Sequence, residues 1–439
     1  MEALTGVKQV SIPLVQHIGA PCKPVVSAGD HVVVGQVIGE VESGLGCPVH
    51  ASVSGTVVGI INHSNAMGQR VDQVVIDSDG LDTEAETIHP AGRILGEMTP
   101  QDIIEMVRAA GISGMGGATF PTYAKIASGL GKAEHIIINC AECEPYITVN
   151  HRLMLEQPEC IIGGTEVLMH AFGLGEAWIA VEDNKMDAVA RLRETLGENS
   201  PISVKVVKTK YPQGDERQLI YALTGRELPG GKLPADVGCV IFNAETCAAI
   251  YAAFTENRPL THRRVTVDGD CIRHPRNLLV PIGTEYTELV RACGGLIKQP
   301  SRIINGGPMM GFAQWDVRMP VTKGTSAVLF LSADSIKRYD QPSACIHCGR
   351  CVRNCPMHLM PNYLAAYAQA GKYDDAARIG VMNCVECGTC SYNCPGQVQI
   401  VQYIRVAKGA IRAAQAEARA KAAAAAAEKD DKAVKKEGK

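Results

Sequence analysis

The sequence predicts a multidomain α/β protein made of four successive parts. Short β-branched runs broken by Gly, Pro and Asp fill the first segment, helical and strand periods alternate in the central third, and cysteines cluster near the C-terminus. At 439 residues the chain is long enough for roughly two to four domains. We therefore expect a β-rich N-terminal domain, a larger α/β domain, a small second β module and a helical C-terminal domain.

Composition and charge narrow the functional classes. The formal net charge of -3 gives no electrostatic case for binding nucleic acid. No run of about 18 consecutive apolar residues occurs, and the N-terminus lacks a secretory signal pattern. We expect the chain to fold in the cytoplasm and to reach a membrane only through partners. In such a reducing compartment, 17 cysteines favour metal ligation over disulfides.

The N-terminal domain is predicted to cover residues 1–90. Residues 28–39 (AGDHVVVGQVIG) and 48–57 (PVHASVSGTV) read as short strands separated by turns. These two stretches resemble the barrel-sandwich fold of lipoyl and biotinyl carriers. The lysine that carries the cofactor in those proteins is missing, because residues 43–47 are SGLGC. A docking or structural role is therefore expected for this domain.

The second domain is predicted to cover residues 91–258. Thr99 is the predicted helix N-cap with Pro100 in the first turn, and Gly111 is predicted to end the helix. Four apolar runs, interspersed with helical periods at 184–196 and 245–254, are typical of a buried parallel sheet. These runs are residues 135–139, 177–181, 203–207 and 239–242.

The third domain is predicted to cover residues 259–330. Residues 264–269 (RVTVDG) alternate as a strand, and residues 285–293 form a predicted helix. The segment resembles a small β-grasp module of the soluble-ligand-binding (SLBB) type.

Two identical cysteine runs predict an α-helical ferredoxin-like domain over residues 331–408. Each run has the pattern C-x2-C-x2-C-x3-C-P, the spacing of two-cluster bacterial ferredoxins, in which the fourth cysteine ligates the other cluster. A zinc site is the alternative, but zinc takes four ligands and does not call for two interleaved runs. The predicted [4Fe-4S] ligand sets are Cys345, Cys348, Cys351 and Cys394, and Cys384, Cys387, Cys390 and Cys355. Residues 402–427 are predicted to form an Ala-rich, solvated helix that frays into a disordered tail, and residues 409–439 are assigned to this Ala-rich, charged tail.

A glycine loop and an acidic strand end in the second domain could hold a nucleotide. Gly114, Gly116 and Gly117 precede a helix that includes Lys125, and glycines let backbone amides approach a phosphate. The next strand runs into Asn139, Glu142 and Glu144, at the sheet edge where open α/β sheets bind ligands. Taken alone, the loop could be an ordinary turn and the acids could be solvated. Cys140 and Cys143 form a C-x2-C pair here, which we interpret as packing rather than redox residues.

Two later motifs strengthen the nucleotide interpretation. They are Tyr211-Pro-Gln-Gly214-Asp215-Glu216, and Asn243-Ala-Glu245-Thr246 directly after a buried strand. In this order the four motifs resemble the flavin-bearing subunit of respiratory complex I, which implies FMN and NAD(H) as cofactors. By that resemblance the predicted FMN contacts are Gly114, Gly116, Gly117, Lys125, Asn139, Gly214 and Asn243, and the nicotinamide nucleotide is lined by Phe120, Glu142, Glu144 and Glu216. Tyr211, Asp215, Glu245 and Thr246 complete the predicted cofactor-binding set.

The sequence departs from complex I at three positions of this site. Met115 stands in place of an arginine, Thr119 in place of a glycine and Ala141 in place of an acid. No acid or base is expected to be catalytic, since the cofactor supplies the chemistry.

The order of the four domains is similar to that of the RnfC family, the C subunits of Rnf complexes. This resemblance implies a peripheral subunit at the cytoplasmic face of the membrane, in a ferredoxin:NAD+ oxidoreductase that drives Na+ or H+ translocation. The implied partners are NADH, the iron-sulfur B subunit and the membrane subunits, with ferredoxin reached indirectly. Two alternatives are a flavin-dependent cobalamin reductase, whose barrel-sandwich piece lies toward the C-terminus, and a non-catalytic iron-sulfur wiring scaffold.

Overall fold

The structure is a computed structural model that describes residues 1–66, 68–336 and 343–437, with side chains up to 421. The chain divides into two compact units. The first contains the β-sheets, and the second contains the helices of the C-terminal segment.

The N-terminal segment forms two small antiparallel sheets, as expected of a barrel-sandwich. Its strands are β1 (Glu2–Ala3), β2 (Gln9–Pro13), β3 (Lys23–Pro24), β4 (His31–Val32), β5 (Val37–Glu40), β6 (Val49–His50), β7 (Gly55–Ser64) and β8 (Arg70–Ser78). One sheet has the order β2-β8-β7-β4 and the other β3-β5-β6. Alternate side chains point inward, so that Val10, Ile12, Val74 and Ile76 are fully buried.

The central segment alternates helices and strands. Its elements are α1 (Pro100–Ala109), α2 (Thr122–Gly129), β9 (His135–Asn139), α3 (Val149–Glu156), α4 (Pro158–Phe172), β10 (Ala177–Glu182), α5 (Met186–Leu196), β11 (Ile202–Val207), α6 (Glu216–Thr224), β12 (Cys239–Asn243) and α7 (Ala244–Glu256). Thr99 caps α1 through a reciprocal pair of hydrogen bonds with Asp102, as its sequence predicts. All four strands are parallel, in the order β11-β10-β9-β12. The α/β fold class predicted from the continuous apolar runs is confirmed.

The third segment forms one mixed sheet around its own core. Its elements are β13 (His262–Asp268), β14 (Arg276–Pro281), α8 (Tyr286–Ala292), β15 (Arg302–Asn305), β16 (Phe312–Gln314) and β17 (Ala327–Leu331). The strand order is β1-β14-β13-β17-β15-β16, so the first strand of the chain joins this sheet in parallel with β14. The predicted N-terminal domain had included all of residues 1–90. Strand β1 has only two residues, which is too few for an alternation of apolar and polar side chains to predict which sheet it joins.

The second unit is helical. Its helices are α9 (Arg350–Arg353), α10 (Pro361–Gln369), α11 (Tyr373–Arg378), α12 (Thr389–Tyr392) and α13 (Ile400–Glu437). Leu364, Ala376, Val381 and Ile404 are fully buried and form its core. Residues 337–342, near the start of the predicted 331–408 domain, lie outside the described residues, as do 438–439.

Helix α13 covers the alanine-rich stretch 402–427 that the sequence predicts to be helical, and it continues through residues assigned to the disordered tail. The structure has helix to Glu437, and the alanine-rich composition explains this because alanine has the highest helix propensity. Among the helices that the structure describes, none combines the length and the apolar character that a membrane crossing requires.

Candidate functional site

The candidate nucleotide site lies at the carboxyl edge of the parallel sheet, between β9 and β12. Strands β10 and β11 lie on one side of β9, and β12 lies on the other, so the strand order reverses at this point. Asn139 and Asn243, the last residues of β9 and β12, are register partners. Ligands of open α/β sheets bind at such a switch point. The sheet topology therefore brings two of the predicted FMN-contacting residues together.

The glycine loop packs onto the start of α7. The backbone N–H of Met115 donates to Thr246 Oγ1 at 3.2 Å, and Asn243 Oδ1 caps α7 by accepting from Glu245 N at 2.9 Å. A Cβ at Gly116 would lie 2.8 Å from Asn243 Nδ2, so this position requires glycine, whereas a Cβ at Gly117 would meet nothing within 4 Å. The loop thus leaves open space beside Gly117.

Lys125 reaches the same edge from α2. Its Nζ donates to the carbonyl of Ile241, in β12, at 3.0 Å. Burial lowers the pKa of Lys125, and the nearby Glu216 carboxylate opposes that shift. An ammonium has three donors, and the hydrogen bond to Ile241 uses one of them. A partly buried ammonium with donors to spare fits an anionic ligand such as the phosphate of FMN.

The loop of the third motif docks on the end of β9. Asn139 Nδ2 donates to the carbonyl of Gly214 at 2.8 Å, and Asn139 Oδ1 accepts from Ala141 N at 3.1 Å. A Cβ at Gly214 would lie 2.5 Å from the Ala141 carbonyl oxygen, which explains the glycine. Asp215 caps α6 with its side chain, so its carboxylate has a structural task. Burial raises the pKa of Asp215.

Glu142 is engaged by the protein itself. Its two carboxylate oxygens accept from Asn150 N at 2.9 Å and His151 N at 3.3 Å, at the start of α3. Burial raises the pKa of Glu142 to about 7, and the two N–H groups oppose the rise. The structure therefore places Glu142 as an anchor for α3, and its predicted contact with a nucleotide stays a prediction.

Glu144 joins the site to the third segment of the chain. Its carboxylate accepts from Tyr211 Oη at 3.2 Å and from the backbone N–H groups of Met309 and Met310 at 3.1 and 2.9 Å. Burial raises the pKa of Glu144. The loop of residues 306–311 (GGPMMG) was not among the predicted site residues, and its glycines are the one signal that could have indicated it. A side chain predicted to line the nucleotide is thus positioned partly by the SLBB-type module.

Glu245 belongs to a buried ion pair with Arg263, a residue that the sequence motifs did not indicate. Arg263 is 1% exposed and its Nη1 lies 2.9 Å from Glu245 Oε2. The same guanidinium donates to the carbonyls of Met115 at 2.8 Å and Lys323 at 3.1 Å. Arg264 Nη1 approaches the same Glu245 oxygen at 3.3 Å. Glu245 therefore anchors Arg263, and Arg263 joins the third segment to the glycine loop.

Cys140 and Cys143 do not have the environment of reactive thiols. Burial raises the pKa of Cys140 well above its usual value and raises that of Cys143 to about 11. Reactive cysteines need a lowered pKa, so this environment favours packing.

In the second unit, four cysteines line one cavity. Cys355 from the first run faces Cys384, Cys387 and Cys390 from the second. This is the interleaved set that the sequence predicts. Cys355 Sγ accepts a backbone N–H from Leu359 at 3.4 Å, and Cys384 Sγ accepts one from Glu386 at 3.3 Å. An otherwise apolar pocket with four sulfurs fits a [4Fe-4S] cluster.

The two cysteine runs have the same backbone conformation. Residues of positive φ recur at equivalent places, as in His347 (53°) and Glu386 (57°), or His358 (51°) and Gln397 (54°). In the first set, Cys345 and Cys348 are exposed, Cys351 is buried and Cys394 is half-buried. Within the described ranges, no three His, Cys, Asp or Glu side chains are grouped as ligands of a single metal ion, and a cube places its four sulfurs further apart than one ion does.

Comparison with known families agrees with this division of the chain. Four family models match, in the order expected from the sequence. They are described as RnfC barrel sandwich hybrid domain (residues 1–81), Nuo51 FMN-binding domain (107–252), SLBB domain (264–313) and 4Fe-4S dicluster domain (337–395).

Solved structures of an NAD+-reducing [NiFe]-hydrogenase share the fold. In the H2-reduced state the match has a TM-score of 0.50 and 18% identity, and covers 71% of this chain and 63% of that chain. The air-oxidised state gives a TM-score of 0.50 and 19% identity over 72% and 64% of the two chains.

Curated relatives match over nearly the whole chain. The C subunit of the Na(+)-translocating ferredoxin:NAD(+) oxidoreductase complex of Acetobacterium woodii is 46% identical, over 92% of this chain and 91% of the relative. The proton-translocating counterpart of Clostridium ljungdahlii is 43% identical over 92% and 89%. The C subunit of the ion-translocating oxidoreductase complex of Rhodobacter capsulatus is 40% identical over 93% and 79%. The chain therefore belongs to the RnfC family, the C subunits of ion-translocating ferredoxin:NAD(+) oxidoreductase complexes.

Proposed function

We propose that this chain is the NAD(H)- and FMN-linked iron-sulfur subunit of a ferredoxin:NAD+ oxidoreductase that couples electron transfer to Na+ or H+ translocation. The observation that carries the proposal is the convergence of all four sequence motifs at the β9/β12 switch point, in a chain whose second unit arranges interleaved cysteines around one cavity. Family membership supports the same assignment.

The residues at the switch point suit FMN. The glycine loop leaves open space beside Gly117, while Lys125 brings a positive charge to the same edge. Asn139 and Asn243 order the loops around the site through their own hydrogen bonds. When bound, FMN would supply the exchange between two-electron hydride transfer and one-electron transfer.

The side chains predicted to line the nicotinamide nucleotide shape its binding site and take no part in the chemistry. Glu144, tied to Tyr211 and to the 306–311 loop, fixes the rim of the site. Phe120 is half-buried and Glu216 is exposed, so both are accessible to a nicotinamide nucleotide. No side chain is required to transfer a proton, because the bound cofactors would supply the hydride chemistry themselves.

The cysteine sets would relay single electrons. The cavity around Cys355, Cys384, Cys387 and Cys390 would hold one cluster in a largely apolar setting, whereas Cys345 and Cys348 lie at the surface. Solvent exposure and hydrogen bonds to the sulfurs set cluster potentials, so the two clusters are expected to differ.

Family membership supports a place for this chain in a multi-subunit complex. We infer attachment at the cytoplasmic face of the membrane through other Rnf subunits, namely the iron-sulfur B subunit and the membrane subunits, with ferredoxin reached through them. Relatives are named as Na(+)- or proton-translocating complexes, and ion transport itself is assigned to the membrane subunits.

An NADH oxidation assay tests the proposal against the scaffold alternative. Anaerobically purified protein, supplied with FMN, should contain about eight irons, as two four-iron clusters require, and should reduce an artificial acceptor with NADH only when FMN is present. Full iron content with no FMN-dependent NADH oxidation would contradict the proposal and favour the scaffold.

A further inference from the structure

A buried cation borders the second cysteine set. Lys408 on α13 donates from Nζ to the backbone carbonyl of Cys384 at 2.9 Å, and its side chain is 7% exposed. It also pairs with the Glu386 carboxylate, whose other oxygen lies 3.1 Å from Arg405 Nε. Two cations and one carboxylate leave an excess of one positive charge beside this cysteine loop.

Among the residues that the structure describes, the matching positions of the first cysteine run lack this arrangement, although the two halves repeat. The second run follows the first by 39 residues, from Cys345 to Cys384, and helices α10 and α13 begin at the same interval. The counterparts of Glu386, Arg405 and Lys408 are therefore His347, Ala366 and Gln369. All three counterparts are exposed, and neither Ala366 nor Gln369 carries a charge.

The described arginines within the first run are placed differently. Arg350 and Arg353 are exposed, so water and salt screen their charges. Lys408 instead acts beside a cavity whose lining includes Leu359, Leu364 and Ile404. In such a low-dielectric setting a single charge has a larger effect on its neighbours.

We propose that Lys408 raises the reduction potential of the cluster held by Cys355, Cys384, Cys387 and Cys390 above that of the other cluster. Reduction adds one negative charge to a cluster, and a fixed positive charge nearby stabilises the reduced form. The second cluster is then the one on which a single electron rests. This inference depends on the proposed binding of two clusters.

The test is a potentiometric titration of the full-length, cluster-loaded protein followed by EPR. Lys408→Met removes the charge at similar volume and should shift the midpoint of one cluster to a more negative potential while leaving the other unchanged. Glu386→Gln should shift the same midpoint in the positive direction. Lys408→Arg keeps the positive charge and should leave the midpoint at its unaltered value. Lys421→Met is the matched control, because Lys421 is an exposed lysine of the same helix. Cys387→Ser identifies which EPR signal belongs to the second cluster.

The outcomes separate this inference from the proposed function. Fewer than two clusters in the unaltered protein would refute the ligation on which both depend. Two intact clusters whose midpoints do not move in Lys408→Met, or move together, would refute the role of Lys408 alone. If Lys408→Met does not retain its clusters, Glu386→Gln decides, and the absence of a positive shift there overturns the inference.

Discussion

The buried Arg263–Glu245 pair gives a quantitative test of how the third segment supports the glycine loop. Arg263→Met removes three hydrogen bonds, to Glu245, Met115 and Lys323, and leaves the Glu245 carboxylate buried. Removing one partner of a buried pair costs about 3–5 kcal/mol. The first compact unit has roughly 330 residues, so its unfolding entropy is about 0.7 kcal/mol/K and the expected fall in Tm is about 4–7 °C.

The neighbouring residue supplies the control for this prediction. Arg264 also approaches Glu245, but at 3.3 Å and with 18% of its side chain exposed. Arg264→Met should therefore cost about 1 kcal/mol, the upper end for a solvent-accessible pair. Thermal unfolding followed by circular dichroism, without FMN, measures both variants. Equal shifts in the two variants, or no shift in Arg263→Met, would refute the conclusion that Arg263 holds the glycine loop against the third segment.

Single side chains give three further tests. Gly117→Ala should weaken FMN binding at least tenfold in a flavin fluorescence titration, and it should not lower Tm because the added Cβ enters open space. Gly175→Ala is the control, because its Cβ is equally unobstructed, and it should leave FMN binding unchanged. Equal affinities in the two variants would place the flavin elsewhere. Burial raises the pKa of Glu142 to about 7 from its ordinary 4.5. The folded state therefore favours the protonated form, and the stability of the protein should fall as pH rises from about 4.5 to 7. Glu142→Gln should flatten this part of the Tm-against-pH curve, and an unchanged slope would contradict the raised pKa of Glu142. Cys355→Ala should halve the iron content of the protein by disrupting the second cluster, while Cys160→Ala, outside both runs, should retain full iron.

Much of the fold was predictable because local pattern specifies it. The apolar runs at 135–139 and 239–242 correspond to β9 and β12, because strands covered on both faces need continuous apolar residues. The cysteine spacing predicts that Cys355 joins the second run as a cluster ligand. These four cysteines line one cavity, and their ligation of a cluster stays a prediction. The sequence patterns did not predict helices α3 and α4.

The contacts of the site were less predictable because they join distant parts of the chain. Glu144 meets Met309 and Met310 after more than 160 intervening residues, and Arg263 in β13 meets Met115 in the glycine loop. Sequence motifs indicated which residues gather at the sheet edge. They could not show that Glu142 bonds to the start of α3, since an acid after a strand has the same pattern whether it faces a ligand or caps a helix.

An anaerobic titration with NADH tests most directly whether this chain connects pyridine nucleotide to its iron-sulfur centres. In FMN-reconstituted protein with intact clusters, we expect added NADH to bleach the flavin absorbance and cluster EPR signals to appear in the same titration. A flavin that stays oxidised in excess NADH, beside clusters that dithionite still reduces, would contradict that connection.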